Sequence, residues 1–273
     1  MKKKVMESVG TIIRILLGLL YISPLFVGLL FSFQPDSEIG MAPLRLFTKN
    51  PTLENYKYVF QHIPVLTYLK NTVIMILICV PCQIILASIA AFAFSFFEFP
   101  FKNALFTVYL AAMMIPGEVV IMANYMTIQN MGLLDTYLGM TITSLVGVTG
   151  IFMLRQNMKS LPAELWEAAR IDGCKEMRYF VRVVMPLSTP VIAAMAINSF
   201  IGIYNAYFWP MLVTTTDNMR TIQTGMAYLM SSDTLRYGEV LAGSVLSLII
   251  PAVAFLFGQE YIIKGMTAGA VKS

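Results

Sequence analysis

The sequence predicts an all-α, polytopic membrane protein with six transmembrane helices. Three observations carry that prediction. Of 273 residues, 58% are hydrophobic and only 12% charged, about half the charge expected of a soluble domain. The apolar residues gather in runs of about eighteen or more, long enough to cross a bilayer. The basic residues divide unevenly between the segments joining those runs, as they do in membrane proteins. So apolar a chain cannot cover itself with water-facing groups, whereas helices in lipid satisfy their own backbone hydrogen bonds. The mean hydropathy of +0.72 agrees.

The runs occupy residues 11–33, 68–97, 104–127, 138–154, 189–213 and 240–263. The first follows Lys2, Lys3 and Lys4 as a secretory leader would. It exceeds a leader's apolar core and ends in Phe31-Ser-Phe-Gln34 instead of a small-residue cleavage site, so it reads as an anchor. In the third, Pro116-Gly117 is expected to break or kink the helix. The fourth holds Gly139, Gly147 and Gly150 among Thr and Ser, a composition suited to close helix packing. Domain organisation follows: residues 1–67 form an N-terminal helix and outside loop, and 68–273 a core with a cytoplasmic loop at 155–188.

With the N-terminus inside, the cytoplasmic side carries Lys2, Lys3, Lys4, Arg14, Lys102, Arg155, Lys159, Arg170, Lys175, Arg178, Arg182, Lys264 and Lys272, thirteen of the nineteen basic residues. The outside receives Arg45, Lys49, Lys57, Lys70, Arg220 and Arg236, so both termini are expected in the cytoplasm. Two outside segments are long. Residues 34–67, with Pro35, Pro43, Pro51 and Pro64, are expected to lie irregularly over the membrane, and 214–239 reads as a polar loop.

Several function classes drop out. A net charge of +4 is too small to point to nucleic acid. The three cysteines are too few for a disulfide framework. Cys79 and Cys82 have redox-pair spacing but lie in an apolar run without companion ligands, which favours packing. One histidine, His62, and the absence of a His/Cys/Asp/Glu cluster at ligand spacing leave no metal site to propose.

Residues 159–186 are the least membrane-like part of the chain and read as two short helices joined by a turn. Ser160 is expected to cap the first, Pro162 to sit in its opening turn, and Glu164 to favour the positive end of the helix dipole. Asp172-Gly173 is expected to end it, Gly173 taking a left-handed conformation. Leu161, Leu165, Ala168 or Ala169, and Asp172 recur at helical spacing, while Glu164, Glu167 and Arg170 point elsewhere. Two readings stand side by side: a helix docking into a groove of another subunit, or an interfacial helix with Trp166 among lipid headgroups.

Glu167-Ala-Ala-Arg-Ile-Asp-Gly173, followed by Pro186-Leu-Ser-Thr-Pro190, resembles the EAA motif of permeases of the ATP-binding-cassette importers. Further likeness lies in Met114-Ile-Pro-Gly-Glu118, Met131-Gly-Leu-Leu-Asp-Thr-Tyr-Leu138, Leu154-Arg-Gln156, Asn205-Ala-Tyr-Phe-Trp-Pro210 and Lys264-Gly-Met-Thr-Ala-Gly-Ala-Val-Lys272. These are similar to the maltose-type carbohydrate permeases, the MalG-like branch in particular, from about Tyr68 onward. The family usually has Trp where this chain has Tyr204, which weakens a sugar-stacking role there.

The resemblance implies a type I importer permease fold in the bacterial cytoplasmic membrane. It also implies a pairing with a second, homologous permease, an ATPase dimer beneath and a solute-binding protein outside. Glu167, Ala168, Ala169, Asp172 and Gly173 would then form the ATPase-coupling element, and the cargo would be a carbohydrate, an oligosaccharide by expectation. No G-x-x-x-x-G-K-[ST] phosphate loop occurs, so ATP and Mg would be bound by the partner ATPase and this chain would be non-catalytic, without a cofactor of its own.

Glu118, Asn198, Tyr204, Asn205 and Tyr207 are the candidate translocation-path residues. An intramembrane acid such as Glu118 is costly in lipid and points to function, unless it only satisfies donors freed at a kink. Polar and aromatic groups on the fifth run suit a hydroxyl-rich substrate or, equally, subunit packing and an interfacial aromatic belt. An ion-coupled secondary transporter using Glu118 is the alternative, but it leaves residues 167–190 unexplained. An intramembrane enzyme would need a nucleophile or metal set that the sequence lacks.

Overall fold

The computed structural model describes residues 2–39, 45–230 and 236–268, with side chains described over 10–39, 45–230 and 236–259. All regular elements among them are helical. In chain order they are α1 (Lys2–Phe31), α2 (Glu54–His62), α3 (Val65–Phe96), α4 (Lys102–Ala112), α5 (Gly117–Asn130) and α6 (Tyr137–Thr141) with a 3-10 turn at Ile142–Ser144. Next come α7 (Val148–Lys159), α8 (Ala163–Ile171) and α9 (Glu176–Tyr179), which runs through a π turn (Phe180–Val184) into α10 (Met185–Leu187). The remainder are α11 (Thr189–Tyr204), α12 (Phe208–Val213), α13 (Ile222–Met230), α14 (Tyr237–Ser247) and α15 (Ile249–Ala268).

Among the described residues three stretches are long and apolar enough to cross a membrane unbroken: Gly10–Phe31, Val65–Phe96 and Tyr237–Gln259. Three more are broken pairs: α4 with α5 (94°), Tyr137–Ser144 with α7 (45°), and Glu176–Leu187 with α11 (75°). If each pair is one span, six result, as predicted.

The breaks have local causes. Pro116 sits at ψ 134, outside helical backbone, and α5 restarts after it; the single kinked helix expected over 104–127 is two helices near a right angle. Gly147 is extended before α7. Ser188 lies between Pro186 and Pro190, neither of which can donate an amide hydrogen bond. The fifth run also stops short of residue 213, because α11 ends at Tyr204.

The chain divides into two compact units: residues up to 66 with 225–250, and 67–224 with 251–273. In the first, the segment expected to be irregular contains α2 instead. Buried Asn55 donates to the carbonyls of Ser32 (2.9 Å) and Gln34 (2.8 Å), supplying partners that the end of α1 lacks. Gly238 packs so closely on Asn55 that a Cβ would lie 2.6 Å from its Nδ2. Likewise the 214–239 segment contains all of α13. Residues 40–44, 231–235 and the end of the Lys264–Lys272 motif lie outside the described residues.

The second unit is organised around a core including Phe92, Phe106, Leu154, Met158, Tyr179 and Val184. Gly150 admits the side chain of Met195, which a Cβ would displace, and Gly139 lies against the Leu133 carbonyl. The fourth run's glycines thus include the close approaches their composition predicted. Arg155 is buried with its guanidinium 3.8 Å from the Phe106 ring centre, a contact that offsets part of the cost of burying a cation. Cys79 and Cys82 are free thiols, Cys79 fully buried.

Candidate functional site

The turn after α8 is built by one complete capping motif. α8 ends at Ile171; the Gly173 amide donates to the Arg170 carbonyl (3.0 Å) and the Cys174 amide to the Ala169 carbonyl (2.9 Å). Those are the paired bonds of a Schellman motif, which requires a left-handed residue just past the helix, and Gly173 has φ +70. A Cβ there would meet nothing within 4 Å. The start of α8 differs from expectation. Ser160 closes α7, its Oγ donating to the Asn157 carbonyl (2.8 Å), and Pro162 is the N-cap. Glu164 does occupy the first turn.

The inward face of α8 is Trp166 and Ala169, joined by Leu161 before the helix. Trp166 lies 4.6 Å from the Tyr179 ring and 6.2 Å from Phe96, so its indole packs against the core. The expected Leu161, Leu165, Asp172 stripe is displaced because the large indole takes the core side. Ala169 therefore packs inward, while Glu167, Ala168, Asp172 and Gly173 are exposed. Between them stands Ile171, 87% exposed, with Met177 at 66% beyond the turn. Glu167 forms no hydrogen bond or ion pair among the described residues.

Two clefts in the second unit gather the other candidates. The first, about 580 Å³, is lined in part by Glu118, Asn124, Thr143, Ser144, Tyr207 and Trp209. Glu118 is in the first turn of α5, where the helix dipole favours a carboxylate. The second cleft, about 180 Å³, is lined in part by Gln83, Thr149, Asn198 and Ser199. Gln83 Nε2 donates to the Ser144 carbonyl (2.5 Å). Of the five path residues predicted, Glu118 and Tyr207 share the first cleft and Asn198 lines the second. Tyr204 and Asn205 line neither: Tyr204 is buried and stacks on Phe200 (6.0 Å, 9°), a pairing set by their four-residue helical spacing. Gln83, Asn124 and Thr149 were not singled out from sequence, and an amide in the middle of an apolar run was the available signal for Gln83.

A third polar cluster pins the segment 214–221. Asp135, in left-handed backbone (φ 54), accepts from the amides of Thr215 (2.7 Å) and Thr216 (3.0 Å) and from both hydroxyls. Asn71 donates to the carbonyls of Asn218 (2.8 Å) and Arg220 (2.9 Å) and accepts from Tyr137 (2.7 Å). Burial pushes the Asp135 carboxyl up, but the Thr215 and Thr216 hydrogen bonds outweigh it and hold its pKa below the ordinary value. Among the described residues no group of three His, Cys, Asp or Glu is placed to hold a metal ion.

Over residues 83–267 the chain matches the family of binding-protein-dependent transport system inner membrane components, and it belongs to that family. It is 30% identical to the arabinooligosaccharides transport system permease protein AraQ of Halalkalibacterium halodurans, with 100% of each chain covered. It is 32% identical to the sn-glycerol-3-phosphate transport system permease protein UgpE of Yersinia pestis, covering 93% of this chain and 94% of that one. Among solved structures it resembles a chain of a bacterial ABC transporter involved in importing the acidic polysaccharide alginate, with TM-score 0.78, 19% identity, and 95% and 97% of the two chains covered. The shared fold is that of an importer permease.

Proposed function

We propose that this chain is the non-catalytic, membrane-spanning permease subunit of an ATP-driven importer whose cargo is a carbohydrate, an oligosaccharide in particular. The observation that carries the reading is the exposed Gly173 turn, with Glu167, which has no partner among the described residues, and exposed Ile171 beside it, in a chain of this family. A short helix ended by a rigid turn and offering an apolar side chain suits insertion into a groove of a separate ATPase. Glu167, Ala168, Asp172 and Gly173 form the docking surface and Ala169 supports it from below. ATP and Mg are bound by that ATPase. An oligosaccharide permease among the relatives supports the carbohydrate assignment.

In this reading residues 68–273 are the core permease, 155–188 its coupling loop, and 1–67 an N-terminal anchor and outside segment. Both termini are cytoplasmic, in keeping with thirteen of nineteen basic residues on that side. The remaining partners are a second, homologous permease and an extracytoplasmic solute-binding protein. Glu118, Tyr207 and Asn198 border the path through their two clefts. Purification of the tagged chain in mild detergent tests the assembly: an ATPase and a second permease should accompany it, and loaded binding protein should stimulate ATP hydrolysis. A chain that purifies alone and transports with an ion gradient instead would reverse the assignment.

A further inference from the structure

We propose that Gln83, Thr149, Asn198 and Ser199 form a contact for the hydroxyl groups of a neutral solute within this subunit, an inference that rests on the importer reading. Gln83 is the sole side-chain amide between residues 73 and 87 of α3. Its Nε2 is committed to the Ser144 carbonyl (2.5 Å), an acceptor freed where the fourth span breaks. Its Oε1 accepts no hydrogen bond among the described residues. It lies beside Gly147, where a Cβ would stand 3.7 Å from it, and both residues line the cleft.

Thr149, Asn198 and Ser199 also make no side-chain hydrogen bond among the described residues. Ser95, Thr107 and Thr127 on other parts of the spans each donate to the carbonyl four residues back, whereas Ser88 and Ser188 share the unpartnered state of the cleft hydroxyls. Four polar groups from α3, α7 and α11 therefore meet in one cleft of about 180 Å³ with hydrogen-bonding capacity unused. Leaving such groups without partners inside a bilayer is costly. Together they present acceptors and donors, the complement of a hydroxyl. No charged side chain lines the cleft, which fits a neutral polyhydroxylated molecule and not an ion or an anionic sugar. Its volume equals roughly six waters' share of liquid, enough for one edge of a sugar ring.

The test uses the whole importer in proteoliposomes, with this chain, its partner permease, the ATPase and the binding protein. The probe is radiolabelled arabinotriose, or the neutral trisaccharide the binding protein takes best from a panel, together with its singly deoxygenated analogues. Ser199→Ala and Thr149→Val remove hydroxyls with little change in volume, and Gln83→Leu removes the amide. Each should lower uptake at saturating loaded binding protein about twofold to tenfold, the range for one lost hydrogen bond. Stimulated ATP hydrolysis should persist. For at least one deoxy analogue, the variant and the parent should transport alike, because the contact is already absent. Wild-type uptake by Ser199→Ala and Thr149→Val would overturn the inference. So would an equal fall for the trisaccharide and every analogue, which would mark a packing role. Absence of any ATPase with the parent chain would instead defeat the importer reading itself.

Discussion

Gly132 and Gly173 end their helices in the same way and stand in different surroundings. Each has a positive φ, +69 and +70, and each sits in a Schellman turn. At Gly132 the amides of Gly132 and Leu133 donate to Gln129 and Ile128 (3.0 Å each). After Gly132, however, the chain is fastened to its own unit: Leu133 and Leu134 join the cluster with Ile128, Met140 and Val213, and Asp135 clasps Thr215 and Thr216. After Gly173, Cys174 packs against the core, but Ile171 and Met177 are exposed on either side of the turn. The backbone device is shared, so the difference lies in what surrounds it: one turn is fastened within the subunit, and the other has large apolar side chains exposed beside it.

The largest effect expected is from Gly173→Val. A β-branched residue forced to positive φ costs on the order of 1–2 kcal/mol, and the turn should shift or open. Copurification of the ATPase, or its stimulation by loaded binding protein, should be lost, with membrane insertion intact. Gly132→Val imposes the same backbone cost but should leave the ATPase bound; if both variants lose it equally, the distinction between the two turns fails.

Asp135→Ala comes next. It leaves two amides and two hydroxyls without their acceptor, and should lower the stability of the second unit by about 1–3 kcal/mol, seen as a lower melting temperature of the purified chain. A cysteine placed at 216 should become more reactive. Because the folded pKa of Asp135 is depressed, the clasp contributes fully above the unfolded carboxyl value of about 3.9 and weakens as pH falls through the folded value. Equal reactivity of a cysteine at 216 in Asp135→Ala and in the parent chain at the same neutral pH would argue against the clasp.

Glu167→Lys should have the smallest effect, a partial loss of stimulated ATP hydrolysis. It reverses an exposed charge while leaving the turn geometry in place. An effect exceeding that of Gly173→Val would move the docking surface from the turn to the helix face.

Much of this arrangement was legible in the residues. The apolar runs mark the spans, Pro116-Gly117 marks a break, and Asp172-Gly173 marks the turn, because each signal is local in sequence. What escaped was long-range. Asp135 and Thr215 are separated by 80 positions, and no periodicity links them. Which face of α8 turns inward depends on Tyr179 and Phe96 being there to receive Trp166. The 94° angle between α4 and α5 goes beyond what a Pro-Gly pair alone prescribes. The segment 214–221, which the sequence leaves as a loose polar loop, is held by acceptors and donors from α3 and the α5–α6 connection. Deletions there are expected to disturb the fold as well as any partner contact.

The most direct measurement is the accessibility of residue 171. Ile171→Cys, in a chain whose three native cysteines are replaced by alanine, is labelled with a membrane-impermeant maleimide in inside-out vesicles. The account predicts rapid labelling when the chain is expressed without the ATPase, strong protection when the ATPase is present, and renewed labelling once the ATPase is stripped away. Equal labelling with and without the ATPase, or labelling from the outside of intact cells, would contradict it.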